Sequence, residues 1–253
     1  MKTNDQYIAE FFNLISEGQQ PTSVIHQVST SDTLWMEAAQ QALDTNNTEA
    51  LKVLQKCGHA GYCWKMLTKS DTCDENFRRV LAWCPTNNLS PFQKLRVSWV
   101  GEWFIRKNLP ELFSAVFNHI EHQPHFIKEW TKLSVHNRAF DITKILLPYI
   151  PSKDCVTLAS ESVLQNLPIL TALLQHMAPG DIGVSCGMIA HVEDKRDIIV
   201  KTLNSKPESW IEFYAYNNNL AQPWIEQAYA QHQNTILQQH VCPDSFSLRK
   251  SKI

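Results

Sequence analysis

The sequence predicts an all-α fold, an α-solenoid of about six helix pairs, and three observations carry that expectation. Apolar residues recur at the helical period from one end of the chain to the other. Glycine is scarce, seven in 253 residues against a usual share of roughly 7%. A short helical pattern returns at intervals near thirty residues. All-β folds and phosphate-cradling α/β folds spend glycine on tight turns and close backbone approaches, so both lose ground. No segment alternates between hairpin turn signals, and strands are not expected.

The first element follows from Tyr7, Ile8, Phe11, Phe12 and Ile15, which share one helical face, with Gly18 placed to stop the helix. Residues 1–31 are expected to cap the array. Two helical stretches follow, DTLWMEAAQQALDT from Asp32 and TEALKVLQKC from Thr48, separated by Asn46 and Asn47. Asp32 and Thr48 read as N-caps, since their side-chain oxygens can accept from first-turn N–H groups. Ser90 and Pro91 read as a cap and a first-turn proline opening the longest helix, to Lys107. Along it Phe92, Leu95, Trp99, Trp103 and Phe104 or Ile105 form an apolar stripe. Residues 206–242, rich in Trp, Tyr and Gln, are expected to close the array, and 243–253 to form a flexible tail.

Recurrence organises the middle of the chain. Asn-Leu-Pro-x-Leu occurs at Asn108–Leu112 and again at Asn166–Leu170, 58 residues on, with Asn137-Arg-Ala-Phe-Asp-Ile halfway between. Each opens an apolar helix: ELFSAVF at Glu111, DITKILL at Asp141, PILTALL at Pro168. Looser copies begin at Glu49, Asn76 and Asp197, so successive anchors lie 27, 35, 30, 27 and 29 residues apart. That interval holds two helices, which implies helical hairpins stacked in series over residues 32–205.

DITKILL and TEALKVL resemble the second helix of an ankyrin repeat, in which a polar residue precedes an [IV]-x-x-[LI]-[LV] run. The family's Thr-Pro-Leu-His signature is missing from every unit, as is the glycine that ends its first helix; Asn46 and Asn137 sit near that place. The resemblance implies a degenerate ankyrin-like array whose projecting β-turn fingers are shortened or missing, because several spacings fall short of the family's period. It also implies a non-enzymatic role as an adaptor, an inhibitor or a factor that a microbe delivers into a host cell.

Composition bounds the function further. A formal net charge of −2 and a pI of about 6.5 give no field that favours nucleic acid or anionic lipid. The opening lacks the plan of a signal peptide, and no apolar run is long enough to span a membrane. The seven cysteines, at 57, 63, 73, 84, 155, 186 and 242, are odd in number and scattered. They are expected to be reduced core thiols in the cytoplasm.

Three constellations could carry chemistry or binding. His119, His122 and His125 are spaced by three, a possible metal pair on one helix, but Pro124 is expected to break that helix before His125. Cys186 and His191 could form a thiol and base, although a separation of five keeps them apart on a helix. Gly183 and Gly187 in the same stretch instead suggest close helix packing. Among eight tryptophans, Trp99 and Trp103 share a face at i, i+4. The stripe they extend reads as core packing, and the pair also stands as the candidate binding residues, since tryptophan is enriched at hot spots.

The expected function is a protein–protein interaction module with another protein as partner. No cofactor, metal, nucleic acid or membrane insertion is expected, and the chain is expected to be a monomer. The alternatives are an all-α enzyme using the Cys186/His191 pair or the His119/His122 cluster, and an immunity or antitoxin-type binder.

Overall fold

The computed structural model describes residues 2–57, 60–121, 124–162, 167–217 and 222–241, and every regular element among them is helical. Asn166, Cys242 and the tail from 243 lie outside the described residues, as does His122. The chain divides into two compact units, Met1–Ile145 and Leu146–Ile253.

The first unit begins with α1 (Asn4–Ser16), α2 (Thr22–Thr30), α3 (Asp32–Asp44), α4 (Thr48–Cys57) and α5 (Ala60–Leu67). It continues with α6 (Glu75–Trp83), α7 (Pro91–Lys107), α8 (Pro110–His119), α9 (Pro124–His136) and all but the last residue of α10 (Phe140–Leu146). The second unit holds α11 (Ser152–Ser162), α12 (Leu167–His176), α13 (Pro179–Ile189), α14 (Arg196–Ser205), α15 (Ser209–Asn217) and α16 (Pro223–Val241). Consecutive helices pack in pairs, α3 on α4, α5 on α6 and α7 on α8 in the first unit, α11 on α12 and α13 on α14 in the second. Odd-numbered helices also pack on one another, α3 on α5 on α7 on α9 in the first unit and α11 on α13 on α15 in the second.

The six anchors of the sequence pattern open the six even-numbered helices α4 to α14. Three of them, α8, α10 and α12, bury the same register. In α8 the buried set is Leu112, Phe113, Val116, Phe117 and Ile120; in α12 it is Ile169, Leu170, Leu173, Leu174 and Met177. Around α10 it is Ile142, Thr143, Leu146, Leu147 and Ile150. The α8 and α12 sets lie 57 residues apart, one less than the Asn-Leu-Pro-x-Leu motif. The core register, not the motif, repeats. Pro110 is the first residue of α8, whereas Pro168 is the second of α12, and a first-turn proline fits at either place.

The turn inside a pair is built alike three times. Asn46, Asn108 and Arg138 sit in the left-handed region at φ +50°, +53° and +57°. Each lies four residues before the buried register begins. The next residue's N–H reaches back to close the helix: Asn47 to Ala42, Leu109 to Phe104, Ala139 to Ser134, at 2.8–2.9 Å. This is the six-to-one bond of a Schellman turn, which satisfies a carbonyl that the helix end would otherwise leave open. Gly18 closes α1 in the same way, as its sequence position predicts.

Two expected caps move by one residue. Ser31, not Asp32, caps α3 by accepting from the Leu34 N–H; Asp32 lies in the first turn and takes an ion pair from Lys65 at 2.5 Å. Asn47, not Thr48, caps α4 by accepting from the Ala50 N–H at 3.0 Å. Near α10 the left-handed residue is Arg138 rather than Asn137. Ser90 does cap α7, in a reciprocal capping box with Gln93.

Close approaches use glycine where the sequence offers it. A Cβ at Gly101 in α7 would stand 2.3 Å from the Trp130 ring of α9. Trp130 in turn packs against Phe113, Phe117 and Phe126, centroids 5.2–6.4 Å away. In the second unit, Cβ atoms at Gly183 and Gly187 would strike Glu212, Ser209, Phe213 and Tyr216 of α15 at under 3 Å. Gly183 and Gly187 therefore do admit a neighbouring helix.

Arg138 holds a conformation that disfavours a side chain, and its own side chain is exposed. Arg138→Gly is expected to raise stability by about 1 kcal/mol, because a left-handed residue with a Cβ is strained. Arg138→Ala, which keeps the Cβ, is expected to leave stability nearly unchanged. Urea unfolding of the two variants beside the parent checks both.

Candidate functional site

The helix α7 is apolar on two faces. Val97, Val100, Gly101, Phe104 and Ile105 turn inward. The stripe expected to pack inward does not: Phe92 is 39% exposed, Leu95 46% and Trp99 49%. Trp103 is half-buried, its ring edge-on to Phe104 at 5.5 Å. The core-packing reading thus fails for Phe92, Leu95 and Trp99, while Phe104 and Ile105 at the end of the stripe are buried. Gly101 lets Trp130 reach the α7 backbone, and that contact fixes which side of the helix is buried.

The exposed stripe is organised rather than loose. The Arg96 guanidinium stands 5.0 Å from both the Phe92 and the Trp99 ring centroids, a double cation–π contact at i, i+4 and i, i+3 spacing. Its Nε is buried without a hydrogen-bond partner. The Phe92 ring also lies over Gly61 of α5, where no side chain could fit beneath it. Further along, Glu102 accepts from the Ser98 hydroxyl at 3.1 Å and faces Arg106 at 4.0 Å. Large aromatic side chains kept at a helix surface and stiffened by a cation are what binding hot spots are made of.

The nucleophile candidate does not assemble. Cys186 is fully buried in α13, and burial pushes its thiol up to about 12. His191 lies beyond the helix end and is exposed. A catalytic thiol needs a depressed pKa and a base in reach; this one has its pKa driven the other way. Burial also raises the thiols of Cys57, Cys63, Cys84 and Cys155.

The histidine cluster is likewise divided. His119 ends α8 and His125 lies on α9, with α9 beginning at Pro124 as expected, and His122 falls outside the described residues. His119 has a structural partner: its Nε2 donates to the Cys84 carbonyl at 2.9 Å, and its ring meets Trp64 edge-on. His176, at the matching place in α12, donates from Nε2 to the Ile150 carbonyl at 3.0 Å. No group of three metal-ligating side chains comes together among the described residues.

Sequence reasoning missed one surface. In the second unit, α15 and α16 frame an apolar groove of about 630 Å³ lined by Trp210, Ile211, Tyr229, His232, Ile236 and Leu237. His232 stacks on Trp210 at 5.0 Å, and partial desolvation holds its imidazole below the usual pKa. The signal was present in Trp210, Tyr214 and Tyr229, but a capping segment is also expected to be aromatic on its inner side. No helix among the described residues is long and apolar enough to cross a membrane.

No protein-family model, curated protein or solved structure matches this chain.

At neutral pH, Cys186 is expected to react with iodoacetamide at least about a hundredfold more slowly than half-exposed Cys73, since both its pKa and its burial oppose attack. Peptide mass spectrometry of timed alkylation reads this directly. Equal labelling of the two would restore Cys186 as a reactive thiol.

Proposed function

We propose that the chain is a non-enzymatic interaction module, a degenerate ankyrin-like array of helix pairs that binds another protein through the exposed face of α7. The observation that carries the reading is the pair Leu95 and Trp99 held on the solvent side of α7 beside Arg96, with half-buried Trp103 next along the stripe. An isolated domain gains nothing from exposing a tryptophan that its other face could have buried, whereas a partner that covers it gains the full burial.

The array reading is supported by the pairwise packing, by one buried register in successive even-numbered helices and by the repeated Schellman turn within pairs. One joint between pairs is short, α12 ending at His176 and α13 beginning at Pro179, while that from Trp83 to Pro91 is longer. The short joint leaves no room for a β-turn finger, which agrees with the shortened spacing there. Binding would then fall to first helices, of which α7 is one, while the second helices hold the core. The free cysteines, none of them paired among the described residues, fit a reducing compartment such as the cytoplasm.

The test is affinity capture from native-cell lysate with the parent chain and with Trp99→Ala and Trp103→Ala, at low and high salt. A stoichiometric protein partner is expected with the parent. Trp99→Ala is expected to weaken its retention by on the order of tenfold or more, as truncation of a hot-spot tryptophan does. A partner that both variants retain at parental level would move binding off α7.

A further inference from the structure

We infer that the segment received by α7 is an acidic amphipathic helix of the partner protein, one of its carboxylates taken by Arg96 while its apolar side chains cover Leu95 and Trp99. The inference rests on the interaction-module reading and specifies its partner. Its starting point is the charge balance of α7, which carries Lys94, Arg96, Arg106 and Lys107 against Glu102 alone, in a chain of net charge −2. Glu102 is already engaged by Ser98 and Arg106. Arg96 is in the opposite condition. It makes no hydrogen bond or ion pair among the described residues, and its Nε is shut away from water without an acceptor.

Other arginines show what the chain does when a guanidinium is simply to be satisfied. Arg79 pairs with Glu75 and donates to the Asn46 side chain, and Arg78 donates to the Cys73 carbonyl; Arg196, which like Arg96 has a buried Nε without an acceptor and lies over an aromatic ring, still pairs with Glu193. Arg96 instead spends its faces on Phe92 and Trp99. Contact with the two rings occupies none of the Nη donors, which are left for a planar anion. A carboxylate meets that geometry with two parallel hydrogen bonds. Covering the site with an apolar side chain alone would bury an unpaired cation, at a cost that abolishes the gain from Trp99.

The shape of the stripe selects a helix. Phe92, Leu95, Trp99 and Trp103 follow one another at i, i+3, i+7 and i+11, a ridge about 17 Å long. A second helix can lay its own apolar ridge beside it with acidic residues flanking the seam.

Three probes test this with the full chain: a fluorescein-labelled peptide helix with Leu and Phe on one face and Glu on the other, its counterpart with every Glu changed to Lys, and vesicles of phosphatidylcholine and phosphatidylserine. The Glu peptide is expected to bind, with affinity falling as salt rises, and the Lys peptide is not. Arg96→Gln is expected to weaken the Glu peptide by on the order of tenfold to a hundredfold, Arg96→Lys by less, and Arg96→Glu to transfer binding to the Lys peptide. Circular dichroism verifies that each variant keeps its helix content. Equal binding of the two peptides, binding of neither, or binding of vesicles in their place overturns the inference. The same Arg96 variants in the lysate capture separate the two levels. A partner lost with Trp99→Ala but kept with Arg96→Glu leaves the interaction module standing and removes the acidic helix.

Discussion

At the ends of α6, α10 and α12 a backbone carbonyl is met by a donor 26 to 35 residues further on. A helix leaves its last four carbonyls without intrahelical donors, and where such an end is buried the loss is about 1–3 kcal/mol for each group left open. In this chain the Cys84 carbonyl after α6 is taken by His119 at the end of α8, and the Ile150 carbonyl after α10 by His176 at the end of α12. Lys206, just past α14, donates to the carbonyls of Gln175 and Met177 at the end of α12. One donor at the end of one pair thus caps the pair before it. The donor must return at the same height as the carbonyl it serves, so a long insertion between neighbouring even helices would part donor from acceptor. This accounts for a recurrence that holds near thirty residues while the sequence motif drifts.

That constraint explains what could and could not be read from the chain. The helices, the six anchors and the stop at Gly18 were legible, because apolar periodicity and scarce glycine report on local backbone directly. Asn46 was legible because asparagine tolerates the left-handed region. Arg138 was not, since only the hydrogen bonds of its turn reveal which of Asn137 and Arg138 must turn. The caps at Ser31 and Asn47 were displaced from Asp32 and Thr48 by one residue, as adjacent cap-forming side chains compete and tertiary contacts decide. Asp32 had a second use, with Lys65. The role of His119 was hidden for another reason. Its acceptor is a backbone carbonyl 35 residues away, and a carbonyl carries no side-chain signature.

The candidate site shows the same limit in a sharper form. Trp99 and Trp103 were marked by spacing, yet α7 has an apolar stripe on each side, and periodicity alone does not say which is buried. Gly101 settles it, because only a residue without Cβ lets Trp130 close on that face. With α7 turned inward on Gly101, Leu95 and Trp99 must face out, and Arg96 between Phe92 and Trp99 becomes the cation of an aromatic surface. The thiols carry the complementary message. Burial raises the pKa of five of them, which opposes thiolate formation at each.

Native-state hydrogen exchange of the parent chain and of His119→Ala is the most direct test of this coupling between neighbouring pairs. The account predicts that removing the imidazole lowers protection by about 1–2 kcal/mol in α6 and α8 together, the two helices that share the Cys84 carbonyl, with α1 and α2 unchanged. Protection lost equally over every helix, or retained in α6 while α8 alone weakens, would contradict it: the pairs would then be joined by general packing, and the imidazole at the end of α8 would serve its own helix only.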